Sequence, residues 1–126
     1  MIATVNWLEN TPLDQEADKR QIQKALLIAW ITNAPTVTLE INASVLTFTK
    51  KNSELIVFFM GGWTKYSLEN NYSTDSIKCN MAGITSAIKV YKKGIGLKKD
   101  KEMEKLIELE DKGELEKWVI GKLSKK

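Results

Sequence analysis

The sequence predicts an α+β fold: an N-terminal helix, an antiparallel sheet of three to five strands, a helix packed on that sheet, and a C-terminal helical pair. Three observations carry that expectation. Residues 36–41 alternate, with Val37, Leu39 and Ile41 on one side and Thr36, Thr38 and Glu40 on the other. Leu55–Met60 is apolar at every position, as a strand covered on both faces would be. Ile77, Met81, Ile84, Ile88 and Tyr91 recur at helical spacing and form one stripe.

Taken in order, residues 2–8 read as a short first strand, with Ala3, Val5 and Trp7 on one face. Residues 12–33 read as a helix. Thr11 can cap it, Pro12 suits its first position, and Asp14, Glu16 and Asp18 favour its positive end. Ile22, Ala25, Leu26 and Ala29 form its apolar stripe, and Ala25–Ile31 is apolar all round, which predicts burial on most sides. Asn33-Ala34-Pro35 ends it. Strands follow at 36–41, 44–50, 55–60 and 63–68. Their turns fall at Asn42-Ala43, Lys51-Asn52-Ser53 and Gly61-Gly62, and turns this short favour an antiparallel meander.

A second helix, capped by Thr74 or Ser73, is expected to run to about Lys93. Cys79, Ala82, Gly83 and Ser86 give it a small-residue face that would admit another helix closely. Gly94-Ile95-Gly96 reads as a flexible joint. Residues 100–112 and 115–123 read as two short helices separated by Gly113. This divides the chain into a core domain over 1–98 and a helical extension over 99–126, packed on the core or on a partner subunit.

Composition narrows the function. The 126 residues are 43% hydrophobic and 28% charged, ordinary for one globular domain. The longest apolar run, Ala25–Ile31, is far short of the roughly 18 residues of a membrane span. Met1-Ile2-Ala3-Thr4 lacks the basic start of a secretory signal. The single cysteine, Cys79, excludes an internal disulfide. These features predict a cytoplasmic protein without membrane contact.

The chain has no histidine, so neither a Ser-His-Asp nor a Cys-His unit can form within it. Glu40, Glu54, Glu69 and Asp75 are the acids nearest the expected sheet, and no spacing links them. Gly61-Gly62 is followed by Trp-Thr-Lys, not by the Lys-Ser/Thr pair of a phosphate loop. Gly94-x-Gly96 follows a helix, which excludes a dinucleotide fingerprint. The expectation is a non-enzyme with no cofactor and no metal.

Charge supplies the remaining signal. Residues 78–101 hold seven lysines against one acid. Lysines neutralise phosphates and an aromatic ring stacks on a base. The candidate nucleic-acid contacts are therefore Lys89, Lys92, Lys93, Lys98, Lys99 and Lys101, with Lys65 and Tyr66 beside Trp63 on the last strand. The same lysines could merely satisfy a helix C-terminus, and Tyr91 lies on the core stripe. The order helix–three strands–helix is similar to that of double-stranded-RNA-binding domains in topology alone. Asp75-Ser-Ile-Lys78 carries only one lysine where that family starts its second helix with a basic motif.

The primary expectation is a small accessory protein that binds DNA or RNA through a lysine-rich helix end and loop. The alternative is a protein-interaction module or homodimer working through residues 75–93 and 100–123.

Overall fold

The computed structural model describes residues 1–11, 13–33, 45–71, 75–93 and 97–123. Among them are six α-helices and one short 3-10 turn, and no strand. The helices are α1 (Ile2–Asn10), α2 (Ala17–Asn33), α3 (Leu55–Glu69), α4 (Ser76–Lys93), α5 (Lys101–Asp111) and α6 (Leu115–Leu123). The α+β expectation is thereby overturned, and with it the antiparallel sheet and the likeness to double-stranded-RNA-binding topology.

The decisive difference is α3. Residues 55–60 and 63–68, expected as two strands around a Gly61-Gly62 turn, form one continuous helix. The buried residues Leu55, Phe58, Phe59, Gly62, Trp63 and Ser67 recur three or four apart, the helical repeat. Ile56, Val57 and Met60 are also partly covered or packed nearby, so α3 is apolar on most sides and occupies the centre. A fully apolar run does not distinguish a buried strand from a buried helix, and here tertiary packing overrides the strand preference of Ile56, Val57, Phe58 and Phe59.

The other expected strands resolve similarly. Residues 2–8 lie in α1, where Val5, Leu8 and Glu9 share the buried side. Of the expected strand at 44–50, the described part is a turn with a 3-10 segment at Thr47–Thr49, and Phe48 is sealed against Phe59 with ring centroids 6.3 Å apart. The strand at 36–41, the turn at Asn42-Ala43 and the joint at Gly94–Gly96 lie outside the described residues.

In place of a sheet, α4 packs on α3. Their closest approach runs through small residues. A Cβ on Gly62 would lie 2.6 Å from the Ala82 carbonyl oxygen, and one on Gly83 would lie 2.6 Å from the Phe59 ring. On its other side α3 meets α1 and α2, where a Cβ on Gly61 would lie 3.2 Å from Val5 and 3.6 Å from Leu27. Val5, Leu27, Phe48, Phe59, Trp63, Ile84, Ile88, Met103, Leu106 and Val119 share one continuous core drawn from all six helices.

Helix α2 is held differently. Only Arg20 and Leu27 are buried along its length. The Arg20 guanidinium donates to the Thr11 carbonyl at 3.0 Å and lies over Trp7, and Lys24 pairs with Glu54 at 2.8 Å. Ile22, Ala25, Leu26, Ile28 and Ala29 face solvent, so the expected burial of this stripe does not occur.

Candidate nucleic-acid interface

The segment 97–100, just before α5, is fixed by two side chains from elsewhere. Asn52 is buried and closes a ring of two hydrogen bonds with the Lys98 backbone. Its Nδ2 donates to the Lys98 carbonyl at 2.8 Å, and the Lys98 N–H donates to its Oδ1 at 2.8 Å. The Tyr91 hydroxyl accepts from the Asp100 N–H at 2.9 Å. Tyr91 thus serves as a packed anchor of the segment, partly buried against the core. Asp100 is itself buried and accepts from the Glu102 N–H at 2.9 Å, capping α5. That bond satisfies an orphan donor and compensates the positive end of the helix dipole.

The Asn52 ring has an electrostatic consequence. It sets the turn carrying Lys50 and Lys51 beside the segment carrying Lys98, Lys99 and Lys101. All five lysines are exposed. Among the described residues none of the five has a side-chain hydrogen bond or an ion pair. Two of the acids nearest in sequence are engaged elsewhere: Glu54 with Lys24, and Asp100 with its cap. Glu102 and Glu104, in the first turn of α5, remain exposed next to this surface.

The other expected contacts lie elsewhere. Lys65, Tyr66 and Lys89 line an open groove of about 480 Å³ between α1, α3, α4 and α6. Lys78 joins them, but so do Glu9, Glu69 and Glu116, so three cations face three acids. Lys65 donates to Asn6 Oδ1 at 2.6 Å. Lys89 lies 4.0 Å from the buried Glu9 carboxylate, whose other oxygen accepts from the Ser86 hydroxyl at 2.7 Å. Lys93 donates to the Glu9 carbonyl at 2.7 Å, and Lys92 lies 4.0 Å from Glu110. Lys65 of α3 and Lys93 at the end of α4 thus hydrogen-bond within the chain, while Lys89 and Lys92 are half-exposed beside an acid. Trp63 is sealed in the core against Phe59 and offers no ring to a base.

The expected set therefore divides. Lys98, Lys99 and Lys101 remain free and gain Lys50, Lys51 and the organising Asn52. Sequence reading missed those three because Lys50 fell at the end of the expected strand 44–50 and Lys51-Asn52-Ser53 looked like an ordinary turn. The signal was the Lys50-Lys51 pair, which matches Lys98-Lys99.

No helix of the described residues is long and apolar enough to cross a membrane. Nor do the described residues gather three or more His, Cys, Asp or Glu side chains that could hold a metal. No protein-family model, curated protein or solved structure matches the chain.

Proposed function

We propose that this is a small non-catalytic protein that binds nucleic acid through the phosphate backbone, using Lys50, Lys51, Lys98, Lys99 and Lys101. The observation that carries the reading is the Asn52–Lys98 ring, which joins two lysine pairs nearly fifty residues apart in the chain. Exposed ammonium groups without internal partners keep their full attraction for phosphates, and displacing the condensed counterions drives binding. Among the described residues this surface offers no unpaired aromatic ring and no fixed donor fork for base edges, so the reading is backbone contact without sequence preference. It takes the protein as cytoplasmic, which suits the lone buried thiol of Cys79.

The alternative of a protein-interaction module through residues 75–93 and 100–123 has less room. The small-residue face of α4 already receives α3 within the chain.

Fluorescence anisotropy with labelled single- and double-stranded DNA and RNA tests the proposal. The logarithm of affinity should fall with the logarithm of salt with a slope of about −0.7 to −0.9 per phosphate neutralised. Substituting Lys50, Lys51, Lys98 and Lys99 by Gln should flatten that slope by about 3. Substituting Lys89, Lys92 and Lys93 should leave most of it. Equal losses from both sets, or no binding at low salt, would overturn the assignment.

A further inference from the structure

We infer that α2 pairs antiparallel with α2 of a second copy of this chain, about a two-fold axis between Ala25 and Leu26. Leu27 and Arg20 turn one side of α2 to the body of the protein. Ile22, Ala25, Leu26 and Ala29 lie on the opposite side, within about 100° of arc at 3.6 residues per turn. Ile22 is 60% exposed and Leu26 49%, with Ile28 on the flank at 44%. From Ala25 to Asn33 the helix carries no charge. Single exposed aliphatic residues are commonplace, but four neighbours on one helix face form a patch.

The occupant is identified by the order of residues within the stripe. In an antiparallel pair about this axis, residue 22 faces 29, residue 25 faces 26, and residue 18 faces 33. Ile22 then meets Ala29 and Leu26 meets Ala25, so each large side chain fills the gap above a small one. The same register sets the Asp18 carboxylate against the Asn33 amide, and Lys19 against Thr32. No like charges meet, because the charged N-terminal half of each helix lies over the uncharged C-terminal half of the other. A face complementary to itself under a two-fold rotation is what an isologous dimer requires.

Area sets the strength. Each half-exposed Ile or Leu has on the order of 100 Å² to bury. Two copies of this face therefore stay below the roughly 1,200 Å² of a stable interface, and the dimer is weak and concentration-dependent.

Light scattering and sedimentation between micromolar and millimolar concentration test this. The mass should rise from the 14.3 kDa of one chain towards twice that value. Leu26→Asp should hold it at one chain with unchanged melting, since the side chain is solvent-facing. The register has its own readout. An equimolar mixture of Ile22→Cys and Ala29→Cys proteins should cross-link under mild oxidant several-fold faster than either alone. A chain that stays monomeric near millimolar concentration, a dimer that survives Leu26→Asp, or equal cross-linking of the single variants would overturn the pairing. So would a chain that is monomeric in solution yet pellets with phospholipid vesicles in a Leu26-dependent way, which would assign the face to a membrane surface.

Discussion

Gly62 of α3 and Ala82 of α4 approach so closely that a methyl group at position 62 would sit 2.6 Å from the Ala82 carbonyl oxygen and 2.7 Å from Ser86 Cβ. The first is backbone and the second is fixed to it, so neither can rotate away. Gly62→Ala gains helix propensity, up to about 1 kcal/mol, but must push two central helices apart. Overpacking of this kind costs about 1–3 kcal/mol before that gain, and the rigidity of both neighbours places this site at the upper end. Thermal unfolding should show a clear loss. Gly121→Ala is the control: nothing lies within 4 Å of its Cβ, so propensity acts alone and the variant should be equal to or more stable than the parent. A Gly62→Ala protein as stable as the parent would mean that α3 and α4 are not in contact here.

The same glycines explain where sequence reading failed. Gly61-Gly62 after six apolar residues looks like a hairpin turn, and nothing local says otherwise. Their role exists only once Val5, Leu27, Ala82 and Ser86 are brought from elsewhere in the chain. The helix carrying the stripe from Ile77 to Tyr91 was legible because its 3.6-residue repeat is sustained over four turns; Ile84 and Ile88 are buried, and Ile77, Met81 and Tyr91 are partly buried against the core. The small-residue face of α4 was legible too, though not the helix that fills it. At the candidate interface, Lys98, Lys99 and Lys101 were visible as local charge. Lys50, Lys51 and the Asn52 ring were not, because a hydrogen bond spanning 46 residues leaves no periodic trace.

Gly113 ends α5 with φ +72°. Around it the Glu114 N–H donates to the Leu109 carbonyl at 2.8 Å, and the Gly113 N–H donates to the Glu110 carbonyl at 3.1 Å. This is the Schellman arrangement, which needs a left-handed residue. No atom lies within 4 Å of a Cβ built there, so a substitution meets backbone strain and no clash. Gly113→Ala should cost about 1 kcal/mol in urea unfolding, and Gly113→Asn less, because Asn tolerates this conformation. Equal costs for the two would argue against strain as the cause.

Lys112 donates from Nζ to Glu108 Oε1 at 2.8 Å, one turn apart on the solvent side of α5. That hydrogen bond, and then the Lys112 charge, hold the Glu108 carboxyl below the usual range. The same pairing raises Lys112, again with the hydrogen bond from Glu108 first. A lowered carboxyl contributes stability above its unfolded pKa and loses it as pH falls through the folded value. A raised ammonium contributes below its unfolded pKa and loses it as pH rises through the folded one. The pair therefore supports α5 across neutral pH and fails at both extremes. Carbon NMR titration of Glu108 should show a midpoint that moves up in Lys112→Gln. The same midpoint in both proteins would show that the two side chains do not meet in solution.

Asn52 offers the sharpest link between fold and proposed function, because it carries no charge of its own. Asn52→Ala removes both bonds of the ring and leaves the Lys98 N–H and carbonyl without this partner. Two lost hydrogen bonds in a buried setting cost about 2–3 kcal/mol. Every lysine remains, so a purely local charge effect predicts unchanged nucleic-acid affinity. If the ring organises one surface from two lysine pairs, affinity and salt slope should both fall, with a slope loss of about 1–2 as the pairs cease to act together. Asn52→Asp is the finer test. It keeps an acceptor for the Lys98 N–H, loses the donor to the Lys98 carbonyl, and brings a negative charge to the centre of the surface. Its binding should be weaker than that of Asn52→Ala even if its fold is the more stable of the two. Binding by Asn52→Ala that matches the parent at every salt concentration would separate the ring from function and leave it a purely structural clamp.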